Sequence, residues 1–417
     1  MSELRKTTAL MVALTMLVLA NMPVAEAADT SFKIGVVAPL TGPAAEAGTA
    51  IKQGAQMAAD EVNAKGGIKA GGNNVKVELL FEDSTSKPEV GVSVAEKLLG
   101  RDKVNLLVGE AFHSSVTMAI MELAPKNPEI PFVSWEPVSS AITAKVKKET
   151  AKYANYWKFD FDSTGYARTV FSTIKALVDG GQMKPKTKTV AFVVEDTDYG
   201  RSNANDAKEL FVADGWKSVA IETVPLGHTD FYPQMNKLKG LKPDVVVTVF
   251  TALGSGVAFS KQTQEVGVAA TQMAVYYPLR PEFIQQAGKA SEGLLWTPLS
   301  FAPDSIASQK SMADGIKAKY KVNANSDHAS GYDGVMVIVN AISKAGSTDG
   351  RKVNDALSKT DFKGILGRYV FDPQGHNAKD GPEFMPIPTA QIQNGKNAVI
   401  WPSNVATGKY VPQAWVK

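Results

Sequence analysis

The sequence predicts an α/β fold built from two doubly wound parallel-sheet lobes. Short apolar runs alternate with segments of helical period at intervals of roughly 25 to 40 residues, which favours parallel strands joined by right-handed helical crossovers. The alternation runs through one series and then a second. At 417 residues the chain also exceeds the roughly 250 to 300 residues at which single cores stop growing.

The first series opens with the apolar strand Lys33 to Ala38, broken by Pro39-Leu40-Thr41-Gly42-Pro43. Ile51, Ala55, Ala58 and Val62 then recur at helical spacing, and Gly66-Gly67 close that helix as a left-handed cap does. Val75 to Phe81 reads as the next strand, followed by a helix from Pro88 at its first position to Gly100. Val104 to Val108 is the third strand and Ile130 to Ser134 the fourth. Between them Val116, Ala119, Ile120 and Leu123 share one helical face, which Pro125 is expected to end. The second series predicts a helix from Ser163 to Asp179, a strand from Thr189 to Val194, and a helix carrying Ala207, Leu210 and Phe211. After these come a strand at Ser218 to Glu222, a helix with Phe231, Met235 and Leu238, and the β-branched run Asp244 to Phe250. That last run has the pattern of a strand buried on both faces.

Loops at the carboxyl ends of parallel strands face the ligand crevice of such sheets. The stretch Val104 to Ser115 is therefore the central candidate. Ser114 and Ser115 open the following helix, either as N-caps worth about 1 kcal/mol or as hydroxyl donors to a ligand beside the free helical N–H groups.

Composition narrows the function. With 44% hydrophobic residues the chain can fill its cores. The N-terminus reads as a secretory signal peptide over residues 1–27: charges at Glu3, Arg5 and Lys6, an apolar stretch from Ala9 to Ala20, and Ala25-Glu26-Ala27 at the cleavage site. Cysteine is absent, which excludes disulfides, thiol catalysis, zinc–cysteine sites and a lipidated cysteine. Export without a lipid anchor points to a Gram-negative periplasm. The formal charge of +3 suggests neither nucleic acid nor a membrane surface as partner. His113, His228, His328 and His376 are scattered, so neither a metal nor another cofactor is expected. Catalysis is not expected either: G-x-S-x-G, G-x-G-x-x-G, H-E-x-x-H and a phosphate-loop lysine motif are all missing. Ser84-Thr85-Ser86-Lys87 fits S-x-x-K but lacks its companions.

Several segments in order resemble the leucine/isoleucine/valine-type periplasmic binding proteins of ABC importers, over nearly all of the mature chain. They are Pro39–Pro43, Asn63-Ala64-Lys65-Gly66-Gly67-Ile68, Asp198-Tyr199-Gly200, Lys242-Pro243-Asp244-Val245-Val246, Ser291-Glu292-Gly293, Gly331-Tyr332-Asp333-Gly334 and Phe371-Asp372-Pro373-Gln374-Gly375. The resemblance implies the type I periplasmic binding fold, two lobes joined by three crossing strands. Lobe one would comprise residues 32–155 and 300–363, and lobe two residues 156–299 and 364–417. It also implies a monomeric receptor that closes on a small solute and delivers it to an inner-membrane ABC permease with its ATPase subunits. A sensor that reports to a membrane kinase or regulator is the alternative use of the same fold.

Site residues carried over from the family are Ser114 and Ser115, with Phe112 and His113 just before them, and Trp135, Glu136, Ser139 and Ser140 after strand four. Tyr199 matches the family tyrosine of Asp-x-x-Tyr-Gly, and Thr251 and Ala252 follow the buried strand. Tyr276, Tyr277 and Arg280 stand where leucine-type members place the acid that meets the ligand ammonium. His113 reads as a ligand contact or a surface histidine, Arg280 as ligand-bound or solvated, and Glu136 as a cleft carboxylate or the partner of a closure cation. With no carboxylate at the ammonium position, a free branched-chain amino acid would leave its charge unpaired. The expected solute is instead a small, partly hydrophobic or aromatic molecule bearing a carboxylate or amide.

Overall fold

The computed structural model describes residues 30–416 except 299 and 305; the expected signal peptide lies outside them. The first half of the chain gives β1 (Thr30–Ala38), α1 (Ala45–Ala64), β2 (Ile68–Ala70), β3 (Asn73–Asp83), α2 (Pro88–Gly100) and β4 (Leu106–Val108). It continues with α3 (Ser114–Ile120), β5 (Phe132–Ser134), α4 (Ser140–Lys148) and β6 (Tyr156–Lys158). Next come α5 (Ser163–Asp179), β7 (Thr189–Glu195), α6 (Asp198–Ala213), β8 (Lys217–Val224), α7 (Tyr232–Leu241), β9 (Val245–Phe250) and α8 (Leu253–Val266). The remainder is β10 (Thr271–Tyr276), α9 (Pro281–Ala287), β11 (Leu295–Thr297), α10 (Ala307–Tyr320), α11 (Ser326–Ala345), α12 (Gly350–Ser358), β12 (Asp361–Lys363), β13 (Arg368–Val370), β14 (Thr389–Gln393) and β15 (Lys396–Trp401).

Apart from β12 and β13, which pair with each other, these strands form two large sheets. One has the order β2-β3-β1-β4-β5-β6, the other β15-β14-β11-β10-β9-β7-β8. The central pairings are parallel, Val36 opposite both Phe81 and Val108 in the first sheet and Val193 opposite Thr248 in the second. Every residue of β7, β9 and β10 is buried, which is why these strands are almost continuously apolar.

Where periodicity is strong the expected elements form, as with α2 and α5. Pro125 does not end the helix before it as expected: α3 stops at Ile120, and a 3-10 turn from Met121 to Lys126 carries the chain through the proline. Inside an α-helix the proline ring clashes with the carbonyl four residues back, and α geometry here stops before Met121, the residue that would supply that carbonyl.

The chain passes between the sheets three times, through residues 159–162, between β11 and α10, and through residues 371–388. The first and third of these crossings are bridged as strands where Lys158 meets Asn377. Order comes from pairing at one point: the Lys158 N–H donates to the His376 carbonyl at 2.8 Å, and the Ala378 N–H donates to that of Lys158 at 2.9 Å. β6 belongs to the first sheet, against β5, so that sheet extends through Lys158.

The Gly-Tyr-Asp-Gly motif lies in α11, which packs along α1. A Cβ on Gly331 would stand 2.0 Å from the Ile51 carbonyl oxygen, so only glycine lets the two helix backbones approach this closely. The Tyr332 hydroxyl donates to Glu61 at 2.8 Å. Asp333 accepts from the Ile365 and Leu366 amides at 2.8 and 2.9 Å and from the Tyr369 hydroxyl at 3.0 Å. Gly331→Ala improves helix propensity by about 1 kcal/mol but overpacks a backbone contact, at a cost of roughly 1–3 kcal/mol or more. The variant is expected to unfold at lower urea concentration than the parent; an unchanged or higher midpoint contradicts this packing account.

Candidate functional site

The loops that leave β4, β5, β7 and β9, together with the end of β10, converge on one cavity between the sheets. Of the expected site residues, Phe112, His113, Ser114, Trp135, Glu136, Tyr199, Thr251 and Tyr276 line it. Rings dominate the wall. Phe112 meets His113 edge-on at 5.0 Å and approaches Tyr276, from the other sheet, at 5.6 Å.

Among the described residues, four polar atoms at this cavity are buried with no hydrogen-bond partner: His113 Nε2, Trp135 Nε1, Glu136 Oε2 and the Tyr199 hydroxyl. Buried polar groups are normally satisfied, so this convergence makes the cavity the candidate site for a polar molecule. Trp135 owes its position to the second glycine of the Gly-Tyr-Asp-Gly motif: a Cβ on Gly334 would stand 2.6 Å from the indole. Burial holds the His113 imidazole down at about 4, leaving it neutral at pH 7. Thr251 is already engaged, its N–H and hydroxyl both donating to Glu195 at 2.8 Å.

Ser115, Ser139, Ser140, Ala252, Tyr277 and Arg280 do not line the cavity. Ser115 points to the other sheet, its hydroxyl accepting from the Asp198 N–H at 3.0 Å. Ser139 caps α4 and bonds Ser202 at 2.7 Å. Ser140, also expected near the cleft, directs its hydroxyl to Asp206 at 3.3 Å. Tyr277 turns into the core beneath β9 and bonds Thr248 at 3.0 Å. Arg280 is neither solvated nor at the cavity wall. It is 3% exposed and pairs with Asp327 at 3.4 Å, beside a Tyr276 hydroxyl that donates to Asp327 at 2.9 Å. Asp327 lies on α11 beside the first sheet, so this cluster ties the two sheets together. Its carboxyl is raised by burial and lowered by Arg280.

Residues outside the expectation complete the wall: Phe159, Asp160, Phe161, Tyr166, Ser330 and Tyr369 among them. Asp160 and Phe161 lie in the first crossing, where no periodicity identifies an inward side. The motif at Asp333 was visible, but not that it holds Tyr369. Asp160 brings a second carboxyl into the cavity beside Glu136, away from the position after β10 where the family acid was sought. Burial pushes Asp160 up to about 7 and raises Glu136 as well.

Removing the Asp327 carboxylate would leave the buried Arg280 charge to the exposed Glu46 carboxylate at 3.7 Å, and losing the buried partner of such a pair costs about 3–5 kcal/mol. Parting the sheets hydrates Arg280 and is the cheaper escape. Asp327→Ala is therefore expected to increase the radius of gyration in solution scattering, and a profile identical to the parent's contradicts the assignment.

A family model described as periplasmic binding protein matches residues 31–396. The chain is 29% identical over 376 residues to a Leu/Ile/Val-binding protein homolog 2 of Brucella abortus, covering 87% of this chain and 91% of that one. It is also 29% identical to a leucine-, isoleucine-, valine-, threonine- and alanine-binding protein of Pseudomonas aeruginosa, with 84% and 87% covered. Among solved structures, the substrate-binding protein LivJ of Streptococcus pneumoniae in complex with isoleucine superposes with a TM-score of 0.74 at 25% identity, over 89% of this chain and 99% of that one. A Rhodopseudomonas palustris solute-binding protein in complex with benzoate shares the fold, with a TM-score of 0.74 at 20% identity over 93% and 99%. The chain belongs to the periplasmic binding protein family, in its Leu/Ile/Val-binding type.

Proposed function

We propose that this chain is the periplasmic receptor of an amino-acid-type ABC importer. It is exported by its signal peptide, closes two lobes, one around each large sheet, over a small, partly hydrophobic solute, and presents that solute to a membrane permease. The observation that carries the reading is the set of unpartnered polar atoms at the aromatic cavity.

Their chemistry defines the solute. Trp135 Nε1 can only donate, and the Ser114 and Tyr199 hydroxyls and neutral His113 can donate as well. Together they suit a carboxylate or carbonyl head, the feature shared by isoleucine and benzoate in the two structural relatives. Glu136 and Asp160 offer acceptors, suited to an ammonium or an amide N–H. The rings hold the apolar body, each well-placed aromatic pair adding about 0.5–1.5 kcal/mol beyond burial. Hydrogen bonds to charged groups contribute roughly 1.5–3 kcal/mol, and 1.4 kcal/mol is tenfold in affinity.

Trp135→Phe keeps the ring and removes one donor. In calorimetric titration against amino acids, aromatic acids and short amides, it should weaken the best-binding compound at least tenfold without lowering the melting temperature. Glu136→Gln should weaken amine-bearing compounds by a similar factor while sparing simple acids. Affinities unchanged in both variants would move the solute elsewhere, and no binding by any compound to well-folded parent protein would count against transport.

A further inference from the structure

The reading of the cleft as the solute site leaves one buried carboxylate unused. Glu110 follows β4 and is 0% exposed, yet it does not line the cavity. Its backbone has φ of +104°, a region that is strained for a non-glycine residue and persists only where the surroundings enforce it. That conformation turns the carboxyl beneath the turn carrying Phe112, His113 and Ser114. Oε1 accepts from the His113 N–H at 3.2 Å, and Oε2 is buried without a partner. The turn is also pinned on both sides by its backbone: the Ala111 N–H donates to the Val37 carbonyl at 2.8 Å and its carbonyl accepts from the Glu136 N–H at 3.0 Å. The His113 amide is thus the point where the Glu110 side chain acts on the cavity wall.

We propose that Glu110 is a positioning residue: through the His113 amide it sets the turn that receives the solute's head group, and its charge state governs how well that turn accepts a negative head. This rests on the cleft being the solute site. The groups acting on Glu110 are His113 and Phe112 in its own turn, and the buried Ser84 hydroxyl and the Asp83 carboxylate from the loop after β3. Asp83 is the one formal charge among them and has the same sign as ionised Glu110, so no cation in this set compensates ionisation.

Burial accordingly pushes the Glu110 carboxyl up to about 8. A folded-state value above the unfolded one means that folding takes up a proton, so the contribution to stability is complete below about 4.5 and is lost as pH climbs to about 8. At pH 7 the neutral acid leaves the turn free of negative charge. Above pH 8 a carboxylate beneath it opposes a carboxylate head above it. Glu110→Gln keeps an acceptor for the His113 amide and fixes the neutral state.

The test uses full-length mature protein labelled with ¹⁵N at its histidines, of which the sequence has 4, with the His113 signals identified by their loss in His113→Gln. The His113 amide in the parent should titrate with a midpoint near pH 8, and Glu110→Gln should abolish that step. A parent amide with no step above pH 7, or the same step in the variant, overturns the proposal. In a second arm, the affinity of isoleucine or benzoate, whichever binds the parent more tightly at pH 7, should fall about tenfold by pH 9 in the parent and stay level in Glu110→Gln; an equal fall in both also overturns it. The first arm needs no solute, so failure of the cleft reading and failure of this proposal remain distinguishable.

Discussion

The arrangement depends on one buried charge pair that spans the two sheets. Asp327, at the start of α11, receives the Tyr276 hydroxyl and faces the Arg280 guanidinium, and each of these three residues is almost wholly buried. Charges are stripped of water only where they find one another. The pair can exist only when the second sheet's β10 end and the first sheet's α11 are brought together, so it fixes the distance across the cleft. Ser115 with Asp198, and Ser139 with Ser202, make the matching contacts on the opposite flank. Between these flanks lies the aromatic cavity.

Parallel topology explains why the polar groups collect there. Strands running the same way deliver their carboxyl-end loops to one edge, and the three crossings set the two edges face to face. Each loop is then shaped by its own local necessity. Glu110 holds the turn before α3, Gly334 makes room for Trp135, and Asp333 fixes Tyr369. The cavity is thus rigid where it is aromatic, and its unsatisfied atoms are held in place before any solute arrives. Such preorganisation lowers the ordering cost of binding.

How much of this was legible depends on the residue. Strands buried on both faces and amphipathic helices announce themselves, so β7, β9, α2 and α5 could be drawn from their patterns. Phe112, Trp135, Tyr199 and Tyr276 could be named because the resemblance to the Leu/Ile/Val-type family carries its ligand positions onto them. Tyr277 could not be separated from Tyr276: adjacent side chains on one strand end face opposite ways, and which faces the cavity depends on register and packing. The two roles left open for Glu136, cleft carboxylate or partner of a cation, separate only in space, where Arg280 is occupied by Asp327. Asp160 was hidden because irregular crossings carry no period. Glu110 was hidden because positive φ in a residue other than glycine leaves no mark in the sequence.

The most direct test of the central claim is a crystal structure of the protein isolated from its native compartment without refolding. If the two sheets grip one compact molecule, density for a bound solute lies against Trp135, Tyr199 and Tyr276, with a polar end at His113. Density confined to the separate groove bounded by Leu279, Phe301 and Asn397 would contradict the account.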